Sequence, residues 1–536
     1  MPVFKSRFNP KSAETKANLE AMQALVAELD RHKADAVDQG SEKYLKRLRA
    51  EGRLLPRERI SLLLDPGTSF LELCPFAGLG GDGFGTGGTI VVGLGFVSGR
   101  MVMINSNVGS IKGGAIDHAT LEKARRCNQI ARENGLICIN MVESAGANLP
   151  DQARIFNYGG ESFREITRRS KLGFPTISLV FGNSTAGGAY IPGMSDYVVM
   201  VKEQAKVFLA GPPLVKMATG EETDDETLGG AEMHSRISGA SDFLAEKERE
   251  AILLAREIVS YMKPTPNLDG ERTHFDGKGD EPLLDPEEIL AIVQADLRKP
   301  FDQREIMARF VDRSDFLEFK PHYGPTLITA FARVDGHKVG IIANNGVLFS
   351  EAANKGAQFI QLCNQSNIPL IFLQNITGFM VGTKYEQEGI IKHGAKMINA
   401  VSNSTVPAIT IITGASYGAG NYAMCGRAFE PRFLFSYPNS RIAVMGHEQL
   451  AGVMQIIGRQ AAEKAGVEYD EEQGRQMAEY MVAEAGKQSS AWYASGQVWD
   501  DGVMDPRHTR QYLRMALWAI HNLPYEGTKG YGVFRM

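Results

Sequence analysis

Cysteine is scarce in this sequence, and its cysteines form no cross-linking or zinc-binding pattern. The chain has five cysteines in 536 residues, and no two of them form a C-x-x-C pair. A disulfide framework or a zinc ribbon is therefore not expected. The ten histidines are dispersed without H-x-x-x-H spacing, so no metal site is expected in this chain either.

Long apolar runs and a strong charge imbalance are also missing. No apolar stretch approaches the roughly 18 residues that a membrane span requires. The first residues, MPVFKSRFNPKS, lack the apolar core of a secretory signal. The formal net charge is only −5, which argues against nucleic acid or an anionic membrane as the main partner. We therefore expect a soluble, cytoplasmic protein with neither kind of partner.

The chain does contain an internal repeat. Residues 123–146 align without gaps with residues 355–378, and the same alignment, continued downstream, places Gly182 on Gly414 and Gly188 on Gly420. Upstream, FVSGRMVMINSNVG aligns with ARVDGHKVGIIANNG in a slightly different register, which places Gly99 on Gly336. Self-similarity over such a length indicates two copies of one domain.

Each copy alternates short apolar strands with helical stretches, which predicts a layered α/β fold with buried strands. The N-terminal domain is predicted at residues 1–265 and the C-terminal domain at residues 301–536. Residues 266–300, rich in Pro, Gly and Asp, are predicted to link them. Residues 13–50 are predicted to form a helical hairpin or arm, and residues 458–483 a single long polar helix.

Both copies contain a glycine-rich corner where an apolar strand runs into a helix: GNSTAGGAY at 182–190 and GASYGAGNY at 414–422. A helix start leaves backbone N–H groups free, and such groups can stabilise a developing oxyanion. A purely structural explanation is also available, because tight packing of the strand against the helix requires small residues as well. Two equivalent corners, each with a second glycine-bearing strand end at 143–146 and 375–378, favour a functional role.

Other motifs are less informative. The sequence GFGTGG at 83–88 is not followed by GK[ST], so a flexible loop is expected there. Lys112, in SIKGG, fits a phosphate contact or a solvated loop lysine equally well. No acid–base constellation is evident. An oxyanion site without a protein base suits a reaction in which a cofactor or substrate supplies the base.

The motifs, taken together, resemble the β (carboxyltransferase) subunits of biotin-dependent acyl-CoA carboxylases over essentially the whole chain. The resemblance is carried by GRLLPRERISLLLDPGTSFLEL (52–73), STAGGAYIPGMSDYVVMV (184–201), YGAGNYAMCGR (417–427) and WDDGVMDPRHTR (499–510). It implies two tandem crotonase-like domains of the ClpP/crotonase spiral (ββα) type. It also implies that an acyl-CoA thioester binds the N-terminal half and carboxybiotin the C-terminal half.

The resemblance assigns separate roles to the two corners. The amides of Gly187 and Gly188 would stabilise the enolate of the acyl thioester, and those of Ala419 and Gly420 would hold the ureido oxygen of biotin. Carboxybiotin itself would then provide the missing base. Further ligand contacts are expected from Lys112, Ala145, Gly146, Thr377, Gly378, Phe379, Tyr417 and Gly418.

Within the family, three segments look most like the methylcrotonyl-CoA subgroup: ESAGANLPDQ (143–152), NITGFMVG (375–382) and the terminal YGVFRM. The expected substrate is therefore 3-methylcrotonyl-CoA. Glu143, Ala145 and residues 80–88 and 153–166 depart from that subgroup's pattern and are interpreted as lining the acyl pocket. Geranyl-CoA or another branched acyl-CoA remains an alternative.

The resemblance also implies partners. The chain has neither an ATP-grasp domain nor a biotinyl MKM motif, and Lys216 and Lys396 lie inside other motifs. Biotin is therefore expected on a partner α subunit with biotin carboxylase and biotin carrier domains. A homo-oligomer with dimer-shared active sites is expected, within a complex of six α and six β subunits. The alternatives are the carboxyltransferase subunit of a sodium-pumping acyl-CoA decarboxylase and a non-enzymatic crotonase-like assembly protein.

Overall fold

The computed structural model describes residues 3–37, 40–262, 279–534 and 536. Its first half contains the strands β1 (Leu71–Glu72), β2 (Ile90–Val97), β3 (Arg100–Asn107), β4 (Ile137–Ser144), β5 (Thr176–Thr185), β6 (Tyr197–Val201), β7 (Lys206–Phe208) and β8 (Phe243–Ala245). They form one sheet in the order β1-β2-β3-β4-β5-β6-β8, with β7 paired to the end of β5. From β3 onward the neighbouring strands are parallel.

The second half builds a closely similar sheet. Its strands are β9 (Leu317–Glu318), β10 (Leu327–Val334), β11 (His337–Asn344), β12 (Leu370–Ile376), β13 (Ala408–Tyr417), β14 (Phe433–Ser436) and β15 (Arg441–Ala443). The order is β14-β13-β12-β11-β10-β9, with β15 paired to the end of β13. Only the pairs β9–β10 and β10–β11 are antiparallel among the strand pairs of this described sheet.

Helices connect the strands. In the first half they are α1 (Ala13–Val37), α2 (Glu42–Ala50), α3 (Pro56–Leu63), α4 (His118–Glu133), α5 (Gln152–Lys171), α6 (Tyr190–Gly193), α7 (Pro212–Thr219), α8 (Asp225–Gly229), α9 (Ala231–Met233) and α10 (Glu248–Tyr261). In the second half they are α11 (Ile289–Ile292), α12 (Gln303–Met307), α13 (Ser350–Gln365), α14 (Thr383–Gln387), α15 (Ile390–Asn403), α16 (Gly418–Ala423), α17 (His447–Ala465), α18 (Glu471–Gln488), α19 (Ala491–Gly496) and α20 (Thr509–Ile520).

The predicted duplication is confirmed in the boundaries of these elements. In the upstream register, which places Gly99 on Gly336, strands β2 and β3 coincide end to end with β10 and β11. In the downstream register, which places Gly188 on Gly420, helix α4 and strand β5 coincide with α13 and β13, again without a shift. Two stretches of sequence with the same apolar pattern thus form the same strand–helix–strand unit, and the α/β fold class is confirmed.

One of the hydrophobic clusters contains side chains from both halves. Apolar side chains of both sheets, such as Leu94 and Ile341, belong to a single buried cluster. Residues 289–293 are buried, with four of the five in that cluster, although they lie in the predicted linker 266–300. Residues 266–278 of that linker lie outside the described residues. The division of the chain into domains at these boundaries stays a prediction.

The helical predictions are met in part. Helices α1 and α2 form within residues 13–50 as expected. The single long helix predicted at 458–483 is instead divided between α17 and α18, because Gly466 ends α17 in the left-handed conformation with φ 68°. Glycine adopts that conformation without the steric penalty of a Cβ. Among the described residues, no helix is both long and apolar enough to cross a bilayer.

A buried ion pair also joins the halves. Asp501, which precedes α20, accepts hydrogen bonds from Arg126 on α4, with Nε–Oδ1 and Nη2–Oδ2 distances of 2.7 and 2.9 Å. Arg427 and the amide of Leu434 donate to the same carboxylate, each at 2.8 Å. Burial alone would raise the pKa of Asp501, but the two guanidinium charges outweigh it and hold the pKa at about 2.

Candidate functional site

The first glycine corner lies at the end of β5. Thr185 is the N-cap of a 3₁₀ turn over Ala186–Ala189, which continues into α6, and no side chain caps this turn. Gly187 and Gly188 are its second and third residues, the positions whose N–H groups a capping side chain would normally bind. Ala186 has φ 52°, in the left-handed region that residues with a Cβ seldom adopt. The corner therefore presents two adjacent uncapped amides.

Two serine hydroxyls form hydrogen bonds with backbone groups in and beside this corner. Ser184 Oγ on β5 donates to the carbonyl of Gly188 at 2.9 Å. Ser144 Oγ on β4 donates to the carbonyl of Gly114 at 2.9 Å and accepts from the amide of Gly146 at 3.1 Å. Both serines are buried, so these hydroxyls satisfy backbone groups rather than compete for a ligand.

The other first-half residues predicted to bind ligand lie at the same end of the sheet. The amide of Ala145 donates to the carbonyl of Gly113 at 2.9 Å, which places the Lys112–Gly114 turn beside the end of β4. A Cβ on Gly146 would lie 3.2 Å from the carbonyl oxygen of Thr185. The structure thus brings Lys112, Ala145 and Gly146 to the corner, with Lys112 exposed.

Aromatic side chains flank the corner, and the sequence alone did not identify them. A Cβ on Gly187 would lie 3.8 Å from Cζ of Phe163, which projects from α5. The Phe163 ring packs edge-to-face with Tyr190 at a centroid distance of 5.9 Å, and Tyr190 is exposed. The divergence of residues 153–166 was the available signal, but it did not single out Phe163.

Glu143, which the sequence analysis interprets as lining the acyl pocket, forms ion pairs with two arginines. Its carboxylate accepts from Arg53 Nη2 at 2.7 Å and from Arg59 Nη1 at 3.2 Å. Arg59 also pairs with Glu248 on α10. Glu143 occupies an irregularity in the β4–β5 pairing, between Val142 and Ser144. Its carboxylate therefore ties this irregular strand end to the segment that carries the two arginines.

The second corner is similar, at the end of β13, but leads directly into an α-helix instead of a 3₁₀ turn. Tyr417 is the N-cap of α16, and again no side chain caps the helix. Ala419 and Gly420 are its second and third residues, as Gly187 and Gly188 are in the first corner. Gly418 has φ 55°, matching Ala186. The two predicted pairs of amides therefore occupy equivalent positions in two equivalent turns.

The remaining predicted residues of the second half surround α16. The amide of Leu348 donates to the carbonyl of Gly378 at 3.1 Å, which joins the loop after β11 to the loop after β12. A Cβ on Gly420 would lie 3.4 Å from Cα of Gly378 and only 2.5 Å from Cγ1 of Ile376. Thr377 is exposed and Phe379 is half-buried beside them.

The side chains closest to Gly187, Gly188 and Gly420 are uncharged. Ser184 and Ser144 are nearest to a Cβ on Gly188, and Ile376 is nearest to one on Gly420. Burial raises the pKa of the Tyr417 phenol, although the nearby charge of Arg441 opposes this rise, so its hydroxyl stays protonated at neutral pH. The chemistry available at both corners is hydrogen bonding from backbone amides.

Metal binding has no evident basis in the described parts of the chain. No group of three or more His, Cys, Asp or Glu side chains there has an arrangement that could hold a metal ion.

Known proteins resemble this chain over nearly all of its length. The carboxyl transferase domain family matches residues 47–528. The probable biotin-dependent acyl-coenzyme A carboxylase beta2 subunit of Mycobacterium tuberculosis is 52% identical over 540 residues, covering 100% of both chains. The probable mitochondrial methylcrotonoyl-CoA carboxylase beta chain of Drosophila melanogaster is 46% identical over 551 residues, covering 100% of this chain and 95% of that one.

A solved structure agrees closely with the fold described above. It is the crystal structure of the beta subunit of geranyl-CoA carboxylase from P. aeruginosa, which is 42% identical to this chain. The match has a TM-score of 0.89 and covers 98% of this chain and 99% of that one.

Proposed function

This chain belongs to the carboxyl transferase family, and on that premise we propose that it transfers a carboxyl group from carboxybiotin to a branched acyl-CoA. The predicted family and the duplicated crotonase-like fold are thereby confirmed. The substrate that we propose first is 3-methylcrotonyl-CoA, and the alternative is geranyl-CoA. The relatives carry the names of both kinds of enzyme.

The proposal depends mainly on one observation, the pair of uncapped amides that each half presents at an equivalent turn. Carboxyl transfer to a thioester places negative charge on two carbonyl oxygens, that of the acyl group and that of the ureido ring. Backbone N–H groups fixed in position stabilise such charge without reorganising. We assign Gly187 and Gly188 to the acyl oxygen and Ala419 and Gly420 to the ureido oxygen.

The residues around the second corner suit a carbonyl oxygen on a flat ring. Ala419 is exposed, and the backbone of Gly378 and the side chain of Ile376 lie against Gly420. Carboxybiotin, when bound, supplies the carboxyl group and the base that accepts the proton of the acyl group. The chain itself orients the two carbonyl groups, and the neutral side chains next to Gly187, Gly188 and Gly420 are consistent with this division of roles.

The first corner is suited to a branched, apolar acyl group. Phe163 and Tyr190 present adjoining aromatic surfaces beside Gly187, and Leu149 at the same end of the sheet is 74% exposed. An apolar surface of this kind favours isoprenoid-like chains over acetyl or propionyl groups by burial of additional carbon atoms. Lys112 is proposed to contact the phosphates of coenzyme A.

Partners complete the proposed activity. We propose that biotin is carried by a partner α subunit with biotin carboxylase and carrier domains, and that this chain forms homo-oligomers. The hairpin of α17 and α18 exposes apolar side chains, including Ile456, Val467 and Tyr480, which favours coverage by another chain. The hexameric state within a complex of six α and six β subunits, and the cytoplasmic location, stay predictions.

Substrate preference tests the proposal directly. With the biotin-carrying partner present, we expect kcat/KM for 3-methylcrotonyl-CoA or geranyl-CoA to exceed that for acetyl-CoA by at least tenfold. One methylene in an apolar pocket changes specificity by about 10–200-fold, and the difference here is several carbon atoms. Initial rates across a panel of acyl-CoAs give the comparison. A preference for acetyl-CoA or propionyl-CoA would contradict the substrate assignment, and activity only as a decarboxylase with membrane partners would support the sodium-pump alternative.

Subunit exchange tests whether one active site uses two chains. We expect a variant inactive at Gly187–Gly188, mixed with a variant inactive at Ala419–Gly420, to recover part of the activity after exchange. In a symmetric dimer with shared sites, the mixed dimer has one site with both lesions and one with neither. Activity is measured as a function of mixing ratio, with mixed dimers verified by mass. Verified exchange without recovery would place both corners of a site in one chain.

A further inference from the structure

A buried amide side chain lies beneath the second corner. Gln374 on β12 is fully buried. Its Oε1 accepts a hydrogen bond from Ser416 Oγ at 2.5 Å, and its Nε2 donates to the carbonyl of Met424 at 2.8 Å. Ser416 is on β13, immediately before the N-cap of α16, and Met424 is the C-cap of that helix. Gln374 therefore connects both ends of α16 to the sheet.

Asn421 extends this network within the helix itself. Its Nδ2 donates to Ser416 Oγ at 2.7 Å. Ser416 Oγ thus receives one hydrogen bond and gives another, so the three side chains form a continuous chain of hydrogen bonds. Asn421 follows Gly420 directly. The network consequently fixes the rotation of α16, on which the direction of the Ala419 and Gly420 amides depends.

The first corner forms without this network. In the register that places Gly188 on Gly420, Gln374 corresponds to Val142 and Asn421 to Ala189, whereas Ser416 corresponds to Ser184. Val142 lies in an apolar cluster, and Ser184 bonds the carbonyl of Gly188 instead. The strand–turn–helix corner therefore does not need two amide side chains in order to fold. They are an addition to the second corner alone.

We propose that Gln374 and Asn421 are positioning residues for the carboxyl donor at the second corner. The inference rests on the proposed function, because it assigns the ureido oxygen to the amides of Ala419 and Gly420. Burying polar side chains is unfavourable unless every group is satisfied, and a satisfied network specifies one geometry. Oxyanion donors depend on such precision, since a displacement of about 1 Å lowers a rate by about 10²-fold.

The test separates the two substrates of the transfer. Asn421→Ala introduces the residue that the first corner has at this position, and Asn421 is only half-buried. The assay runs in reverse on the assembled protein, from the carboxylated acyl-CoA to free biotin. We expect kcat/KM for free biotin to fall at least tenfold and KM for the acyl-CoA to change less than twofold. Gln374→Val introduces the residue that the first corner has at the equivalent position, Val142. It should likewise lower kcat/KM for free biotin and leave KM for the acyl-CoA almost unchanged.

The matched control is Ser184→Ala in the first corner, which should change the kinetic constants (kcat/KM and KM) for the acyl-CoA more than those for free biotin. Parallel changes in both substrates for Asn421→Ala and Gln374→Val, or no change, would overturn the positioning role. Thermal unfolding of each variant verifies that folded protein is compared. Transfer by the wild type to free biotin tests the proposed function separately, and its absence would contradict both.

Discussion

Replacing Gly188 with valine is expected to lower carboxyl transfer by about 10²–10³-fold while the protein remains folded and assembled. Loss of one oxyanion donor has this effect in enzymes that stabilise acyl oxyanions. A Cβ on Gly188 would itself lie 3.7 Å from Ser184 Oγ and 3.8 Å from Ser144 Oγ. The two further methyl groups of valine have to displace a serine hydroxyl or the turn that carries the amides. Steady-state kinetics with a saturating acyl-CoA measures the loss.

Gly188→Ala is the matched control, because its Cβ stays in ordinary van der Waals contact with both serines. We expect it to lose less than tenfold. Gly420→Ala should be much more damaging, because its Cβ would approach Ile376 Cγ1 to 2.5 Å and the end of β12 would have to shift. Near-wild-type turnover of Gly188→Val in an intact assembly would contradict the role assigned to the first corner.

Asp501→Asn is expected to lower the free energy of unfolding by about 3–5 kcal/mol at neutral pH. The reason is that it leaves the buried guanidinium of Arg126 without its counter-charge. The carboxylate is fully buried and also accepts from Arg427, so no water replaces it. Because Arg126 belongs to α4 and Asp501 to the second half, the loss should be shared by both halves. Denaturant unfolding followed by fluorescence and by circular dichroism measures it.

The pH dependence of this effect has a definite sign. The folded pKa of Asp501 is about 2, below the ordinary value of about 3.9. The stabilisation is therefore fully present above about pH 4 and is lost as the pH falls through about 2. The difference between Asp501→Asn and wild type should be constant from pH 5 to 7 and shrink in stronger acid. Glu471→Gln, in the exposed pair with Arg459, is the control and should change stability little. A difference that grows in acid would contradict this account.

The sequence by itself determined the duplicated fold and the places of its two corners. Apolar periodicity and glycine positions are local properties, and they recur in a constant register because the same unit is built twice. In the two registers of the repeat, β2, β3, α4 and β5 begin and end at the positions of their counterparts in the second half. The pairs Gly187–Gly188 and Ala419–Gly420 followed from the same comparison, and the structure places them at equivalent turns.

Only the tertiary structure decided what surrounds these corners. Phe163 and Gly187 lie on different elements, as do Gln374 and Asn421, and their contacts arise from packing that no local pattern encodes. The carboxylate of Glu143 is paired with arginines far earlier in the chain, and its place in the acyl pocket stays a prediction. Residues 289–293 lie in a stretch whose composition predicts a linker, but in the structure they are buried in the hydrophobic core. Burial and ion pairing depend on which surfaces meet, and that is fixed only when elements distant in the sequence pack against one another.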